Sequence, residues 1–130
     1  PDEALVAVSA SKGRTVAEQF AHIHNVRLMW LKAALPALLT GLTKLEKTAL
    51  NRKSLSTELE KSGAAIRALL EHAAADGDRM RGFKPHGTAF FAYLVSHESH
   101  HRGQILLTLK QAGFPVDKKV SYGIWEWGVR

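Results

Sequence analysis

The chain has 130 residues, of which 45% are hydrophobic, and a formal net charge of +6, which predicts one globular domain with a basic surface. It contains no cysteine, which excludes a disulfide framework, thiolate metal ligands and a protein-derived thiol nucleophile, and fits a reducing, cytoplasmic location. No stretch approaches the ~18 apolar residues of a membrane span, and the scattered basic residues form no nucleic-acid-binding signature, so we expect neither partner.

Helical periodicity dominates the chain from its first predicted element onward. Residues 1–13 are short and mixed in character. Thr15 and Glu18 then form a capping-box pattern, which predicts a helix from Thr15 to about Leu35, where Pro36 ends it. Residues 36–54 contain proline, glycine and charged clusters, and we predict a long connection there with room for a short helical turn.

Two further helices are predicted downstream. The first runs from about Ser56 to Ala75. After a loop that reads DGDRMRGFKPHG, the second runs from about Thr88 to Ala112, with Gly113 placed to end it. The tail, 114–130, carries Trp125 and Trp127, which we expect to pack as a lid over one end of the helices.

These three long helices predict an all-α fold of the helix-bundle type. Because four helices are the usual number, the fourth is expected to precede Pro1, with residues 1–13 as its remnant. The sequence is therefore interpreted as a single domain, residues 1–130, that is truncated at its N-terminus.

Three of the seven histidines lie within the stretch SHESHHRGQ. His97 and His101 are four residues apart, so both point to one face of the predicted helix. Two imidazoles at this spacing can bind one metal ion, and a shared ion would remove the cost of burying two unpaired rings. The alternative is a chance pair without function. His100 is rotated by about 100° from His101 and is not expected to share the ion.

A third ligand has to come from another part of the chain. The segment AHIHN offers His22 and His24, which point to different faces of their helix, and periodicity does not decide between them. His72 and His86 are expected to be surface residues.

Two segments carry a resemblance to a known family. TVAEQFAHI and HESHHRGQILLTLKQAG resemble the DinB/YfiT-like superfamily, whose patterns are Glu-x-x-x-His and His-x-x-x-His-Arg-Gly-Gln. The resemblance implies a four-helix bundle with an up-down-down-up arrangement, whose first helix is largely missing from this chain. It also implies one divalent metal ion held by His22, His97 and His101.

The same resemblance implies an activity. Characterised members resemble thiol S-transferases and a thiol-dependent isomerase, which implies a metal-dependent thiol S-transferase acting on a small-molecule substrate, with a low-molecular-weight thiol as cosubstrate and a role in stress response. All-nitrogen ligation suits zinc or nickel, and also iron or copper. Relatives often resemble dimers, so a homodimer is an expectation. The alternatives are a metal-dependent hydrolase, for which Glu98 is a poorly oriented base, and a non-catalytic metal-stabilised stress or binding protein.

Two further residues of the second motif receive an interpretation. Gln104 lies three residues after His101, where it could hydrogen-bond a ligand or brace a neighbouring helix. Gly103 lies in mid-helix, where glycine costs roughly 1 kcal/mol against alanine, and a close helix crossing is expected to account for it.

Overall fold

The computed structural model describes residues 1–123, 125, 126 and 128. Their fold is all-α, as predicted. Three long helices and one short helix follow a first 3-10 turn at Asp2–Val6: α1 is Val16–Ala34, α2 is Arg52–Ala75, α3 is Gly87–Gln111 and α4 is Lys118–Gly123. Two more 3-10 turns, Pro36–Leu39 and Lys47–Ala49, lie in the connection between α1 and α2.

The first helix begins where its capping box predicts. The Glu18 N–H donates to Thr15 Oγ1 at 3.1 Å, and the Thr15 N–H donates to Glu18 Oε2 at 2.9 Å. Two of the amide groups that a helix N-terminus leaves without partners are thereby satisfied. At the other end, Pro36 begins a separate 3-10 turn, so the predicted boundaries of this helix are confirmed.

The second helix begins about four residues earlier than the sequence predicted. Asn51 is its N-cap, because Asn51 Oδ1 accepts from the Ser54 N–H at 2.9 Å and Ser54 Oγ accepts from the Asn51 N–H at 3.2 Å. The predicted connection of 36–54 is correspondingly too long. The third helix matches its prediction, and Gly113 follows it with a φ of +82°, the left-handed conformation that favours glycine there.

The main core lies where α1, α2 and α3 meet. Its fully or nearly fully buried side chains are Leu31, Ile66, Leu69, Phe90 and Leu94. Burial of each such side chain contributes about 1.5–3 kcal/mol to folding. Trp30 of α1 packs edge-on against Phe90 and Tyr93 of α3, with ring centroids 5.5 Å apart in both pairs. These contacts hold α1 directly against α3.

An ion pair links the same three helices nearer to the histidines. Arg27 of α1 donates from Nε and Nη2 to the two carboxylate oxygens of Glu98 on α3, at 2.7 Å and 2.6 Å. Its Nη1 donates to the carbonyl oxygen of Leu59 on α2 at 2.9 Å. Because Glu98 follows His97 directly, this pair fixes that turn of α3 relative to α1.

Two sequence expectations about packing are wrong. A Cβ added to Gly103 would meet no atom within 4 Å, so no helix crosses closely at this exposed residue. Trp125 is 71% exposed and does not form a packed lid, because it reaches no core contact, and Trp127 lies outside the described residues.

Among the helices that the structure describes, none is both long enough and apolar enough to cross a membrane.

Candidate metal centre

Three imidazoles meet where α1 packs against α3. The ring centroid of His22 lies 5.4 Å from that of His97 and 4.6 Å from that of His101. The rings of His97 and His101 are 4.6 Å apart. Each ring offers one nitrogen, and these three nitrogens all lie within 4.8 Å of one another.

This arrangement fits a divalent metal ion. Zinc binds imidazole nitrogen at about 2.0–2.1 Å, which places ligand nitrogens about 3–3.5 Å apart. The three nitrogens, which lie within 4.8 Å of one another, are already close to that separation. The group contains no carboxylate, so a bound ion would keep its full charge.

Burial favours the form of these histidines that binds metal. Loss of water contact lowers the pKa of His22 and of His97 below the ordinary value of 6.5, and it lowers the pKa of His101 to about 4. The nearby cation of Arg14 lowers the pKa of His22 further. All three rings are therefore neutral near pH 7, and a neutral ring can donate a lone pair to an ion without first losing a proton.

Two glutamines orient the most deeply buried of the three rings. His101 Nδ1 lies 2.7 Å from Gln19 Oε1 and 3.1 Å from Gln104 Oε1. Because both partners are amide oxygens, Nδ1 carries the hydrogen and donates it, which leaves the lone pair on Nε2 for a metal ion. Partners of this kind fix both the tautomer and the direction of a metal-binding histidine.

Sequence reasoning missed Gln19 and gave Gln104 a different role. Gln19 is a buried polar residue that precedes His22 by three positions, close to one helical turn, and that spacing was the available signal. Gln104 was expected to contact a ligand or to brace another helix. It instead hydrogen-bonds the ring of His101 one turn earlier on its own helix.

The remaining four histidines do not belong to this group. His24 is fully buried, and its two ring nitrogens lie 2.9 Å from the Glu58 carbonyl oxygen and 2.8 Å from that of Thr43, so backbone groups occupy both of them. The structure thus brings His22, and not His24, to the pair on α3. The other three, His72, His86 and His100, are exposed.

His86 has a structural role that accounts for its place in the sequence. It is the N-cap of α3, where its Nδ1 accepts from the Ala89 N–H at 3.2 Å.

Glu98, the one carboxylate of the second motif, has both oxygens engaged by Arg27. It is therefore not available as a base beside the three histidines.

Comparisons with known proteins come to the same family as the two motifs. A model described as DinB family matches residues 1–119, a range that contains the three histidines and both glutamines. Comparisons with curated proteins and with solved structures give no match.

Proposed function

Because the chain belongs to the DinB family, we propose that it is a metal-dependent thiol S-transferase with a small cellular thiol as cosubstrate. His22, His97 and His101 would hold one divalent ion, either zinc or nickel. The observation that supports this most directly is the convergence of three imidazole nitrogens within 4.8 Å. Three protein ligands without a carboxylate leave coordination positions open, as in catalytic sites.

The chain's own residues would prepare this site before any substrate arrives. Burial keeps the three rings neutral, and Gln19 and Gln104 direct the lone pair of His101. Arg27 engages both oxygens of the Glu98 carboxylate. When bound, a divalent ion supplies a Lewis acid that lowers the pKa of a thiol and makes thiolate available near neutral pH.

The absence of cysteine means that the sulfur nucleophile has to come from an external thiol. In the overall reaction the thiol loses its proton, a carbon–sulfur bond forms to the electrophile, and the leaving group departs with the bonding electron pair. The proton and the leaving group are released together as the acid, so no oxidant or reductant is needed.

The test is thiol transfer by protein of known metal content. Elemental analysis should find about one equivalent of ion in the wild type and in His100→Ala, and none in His97→Ala. The activity assay measures, by absorbance, the thioether formed from 1-chloro-2,4-dinitrobenzene and an added thiol. We expect this product only with the two metal-containing proteins, the wild type and His100→Ala.

Three results would overturn the proposal. If the double variant with His97→Ala and His101→Ala still retained metal, these two histidines would not be the ligands. A metal-loaded protein that transfers no thiol from a broad panel but hydrolyses an ester would instead be a hydrolase. Absence of both reactions would leave a metal-stabilised binding protein.

A further inference from the structure

A stack of aromatic rings on α3 leads from the main core to the histidines. Phe90 is fully buried, and the ring of Tyr93 stacks on it with 25° between the ring planes and centroids 6.2 Å apart. The ring of His97 stacks on Tyr93 in turn, with 20° between the planes and centroids 5.8 Å apart. Offset stacking at this separation is a favourable arrangement of aromatic rings. The stack therefore ends on one of the three proposed metal ligands.

We propose that Tyr93 is a positioning residue of the metal centre, because its ring holds the imidazole of His97 in the orientation that points a ring nitrogen at the ion. The inference rests on the metal centre of the proposed function, but it does not depend on the thiol chemistry. It adds a residue that lies outside both sequence motifs.

His97 needs such a support because hydrogen bonds do not orient its ring. His101 donates from Nδ1 to two glutamine oxygens, whereas neither ring nitrogen of His97 has a hydrogen-bond partner among the residues that the structure describes. The ring of a histidine turns over a broad range about its terminal torsion angle. A partner that fixes this direction is usually worth about 10–100-fold in metal affinity.

Helix geometry places Tyr93 where it can act on this ring. Residues four apart on a helix are neighbours on one face, and long side chains lean toward the helix N-terminus. The imidazole of His97 therefore lies over the preceding turn, where Tyr93 is. On its other side, the ring of His101 meets His97 at 72°, with centroids 4.6 Å apart, so His97 is held between two rings.

Tyr93 is itself held in place by aromatic neighbours from other parts of the chain. Trp30 of α1 packs edge-on against it, with centroids 5.5 Å apart, and Phe83 in the loop before α3 lies 5.6 Å away. A side chain packed on several sides has few alternative rotamers open to it. Tyr93 therefore offers the imidazole a fixed surface, and His97 would lose this face contact by turning away.

The experiment is titration of the metal-free full chain with cobalt(II), a divalent ion that nitrogen ligands also bind and whose visible absorption reports the coordination geometry. Tyr93→Leu removes the aromatic ring, and it should lower cobalt affinity by about tenfold and change the visible spectrum. Tyr93→Phe keeps the ring and removes only the hydroxyl group, so it should restore both the affinity and the spectrum of the wild type.

Proton NMR of the metal-free chain supplies a second measurement that needs no ion. The ring current of Tyr93 should shift the carbon-bound ring protons of His97 upfield in the wild type. This shift should remain in Tyr93→Phe and disappear in Tyr93→Leu. Because the shift is measured in the wild type as well, its absence there would overturn the proposal even if Tyr93→Leu did not fold.

Two control variants separate positioning from general damage. Phe91→Leu makes the same type of change on the same helix, at a side chain that is 52% exposed, and it should leave cobalt binding unchanged. Leu69→Ala removes a side chain of α2 that is only 2% exposed in the main core. It should lower the free energy of unfolding but keep the cobalt spectrum of the wild type.

The remaining outcomes separate this proposal from the proposed function. Wild-type affinity and spectrum in Tyr93→Leu would overturn the role of Tyr93, as would an equal loss in Tyr93→Phe or in Leu69→Ala. Failure of the wild type to bind cobalt would overturn the metal centre and this proposal together. Cobalt binding that depends on the Tyr93 ring, without any thiol transfer, would overturn the transferase activity alone.

Discussion

The hydrogen bonds of Nδ1 determine which ring nitrogen of His101 can bind a metal ion. Its Nδ1 donates to Gln19 Oε1 at 2.7 Å, which leaves Nε2 for an ion. His24 lies only two residues from His22 but has both nitrogens occupied by backbone carbonyl groups. Two histidines of one short segment therefore have different roles: one belongs to the packing of the core and the other to the proposed metal site.

Replacement of Gln19 should weaken metal binding without removing a ligand. We expect Gln19→Ala to lower zinc affinity by about 10–100-fold, the usual cost of losing a partner that orients a metal-bound histidine. Gln19→Glu keeps an acceptor oxygen at the same place and should restore most of that affinity. The measurement is competition for zinc with a chromophoric chelator, and wild-type affinity in Gln19→Ala would contradict the assigned role.

At the scale of one element, the first turn of α1 carries a helix cap at Glu18, and the next turn carries the proposed metal ligand His22. Glu18 belongs to the Glu-x-x-x-His pattern, but its carboxylate accepts from the Thr15 N–H and pairs with Lys47 at 3.0 Å. Its role in the structure is to cap the helix that carries His22. The backbone hydrogen bond to Thr15, followed by the hydrogen bond to Lys47, lowers the pKa of Glu18 below 4.5.

This lowered pKa predicts a pH-dependent contribution of Glu18 to stability. Because the folded-state pKa lies below the unfolded value of 4.5, the contribution is present above pH 4.5 and is lost as the pH falls through the folded-state pKa. Glu18→Gln keeps the capping hydrogen bond but removes the charge. It should lower the free energy of unfolding by about 0.3–1 kcal/mol at pH 7.

Urea unfolding at several pH values checks this prediction. The difference between Glu18→Gln and the wild type should shrink as the solution is acidified below pH 4.5, because the wild-type carboxyl group then becomes neutral. Glu60→Gln, which removes a carboxylate from an exposed position on α2, is the matched control and should show a smaller effect at pH 7. A constant difference across the acidic range would contradict the role of the charge.

At the scale of the whole molecule, the three histidines join two helices that are far apart in sequence. His22 lies on α1, and His97 and His101 lie on α3, so one bound ion would link these helices. Arg27 and Glu98 already link them by an ion pair whose side chains are 16% and 30% exposed. An ion at this place would therefore stabilise the packing of the bundle as well as supply chemistry.

Metal binding should raise the melting temperature. An ion that binds only the folded chain stabilises it by about 2.7 kcal/mol when its concentration is one hundred times Kd. For a chain of this length that corresponds to a rise in Tm on the order of 10 °C. Scanning calorimetry with and without zinc should show this rise in the wild type and in His100→Ala.

His97→Ala supplies the negative control for that measurement. It lacks one of the three proposed ligands, so zinc should shift its Tm by much less. An equal shift in His97→Ala and in the wild type would mean that zinc binds elsewhere on the chain.

The sequence by itself determined those features that depend only on residues close together in the chain. Thr15 and Glu18 start α1 within one turn, and Gly113 ends α3, because capping depends on groups three or four residues apart. The spacing of His97 and His101 likewise placed both rings on one helix face. The start of α2 is also encoded locally, by Asn51 and Ser54.

Only the tertiary structure decided which helix faces meet. Periodicity could not choose between His22 and His24, since that choice depends on how α1 is rotated against α3. For the same reason it could not show that Gln19 reaches His101, 82 positions away, or that the loop of residues 9–14 closes a cavity beside that ring. Periodicity also could not show that no neighbouring helix approaches Gly103. Contacts between distant segments depend on the packing of whole helices, which no short stretch of sequence encodes.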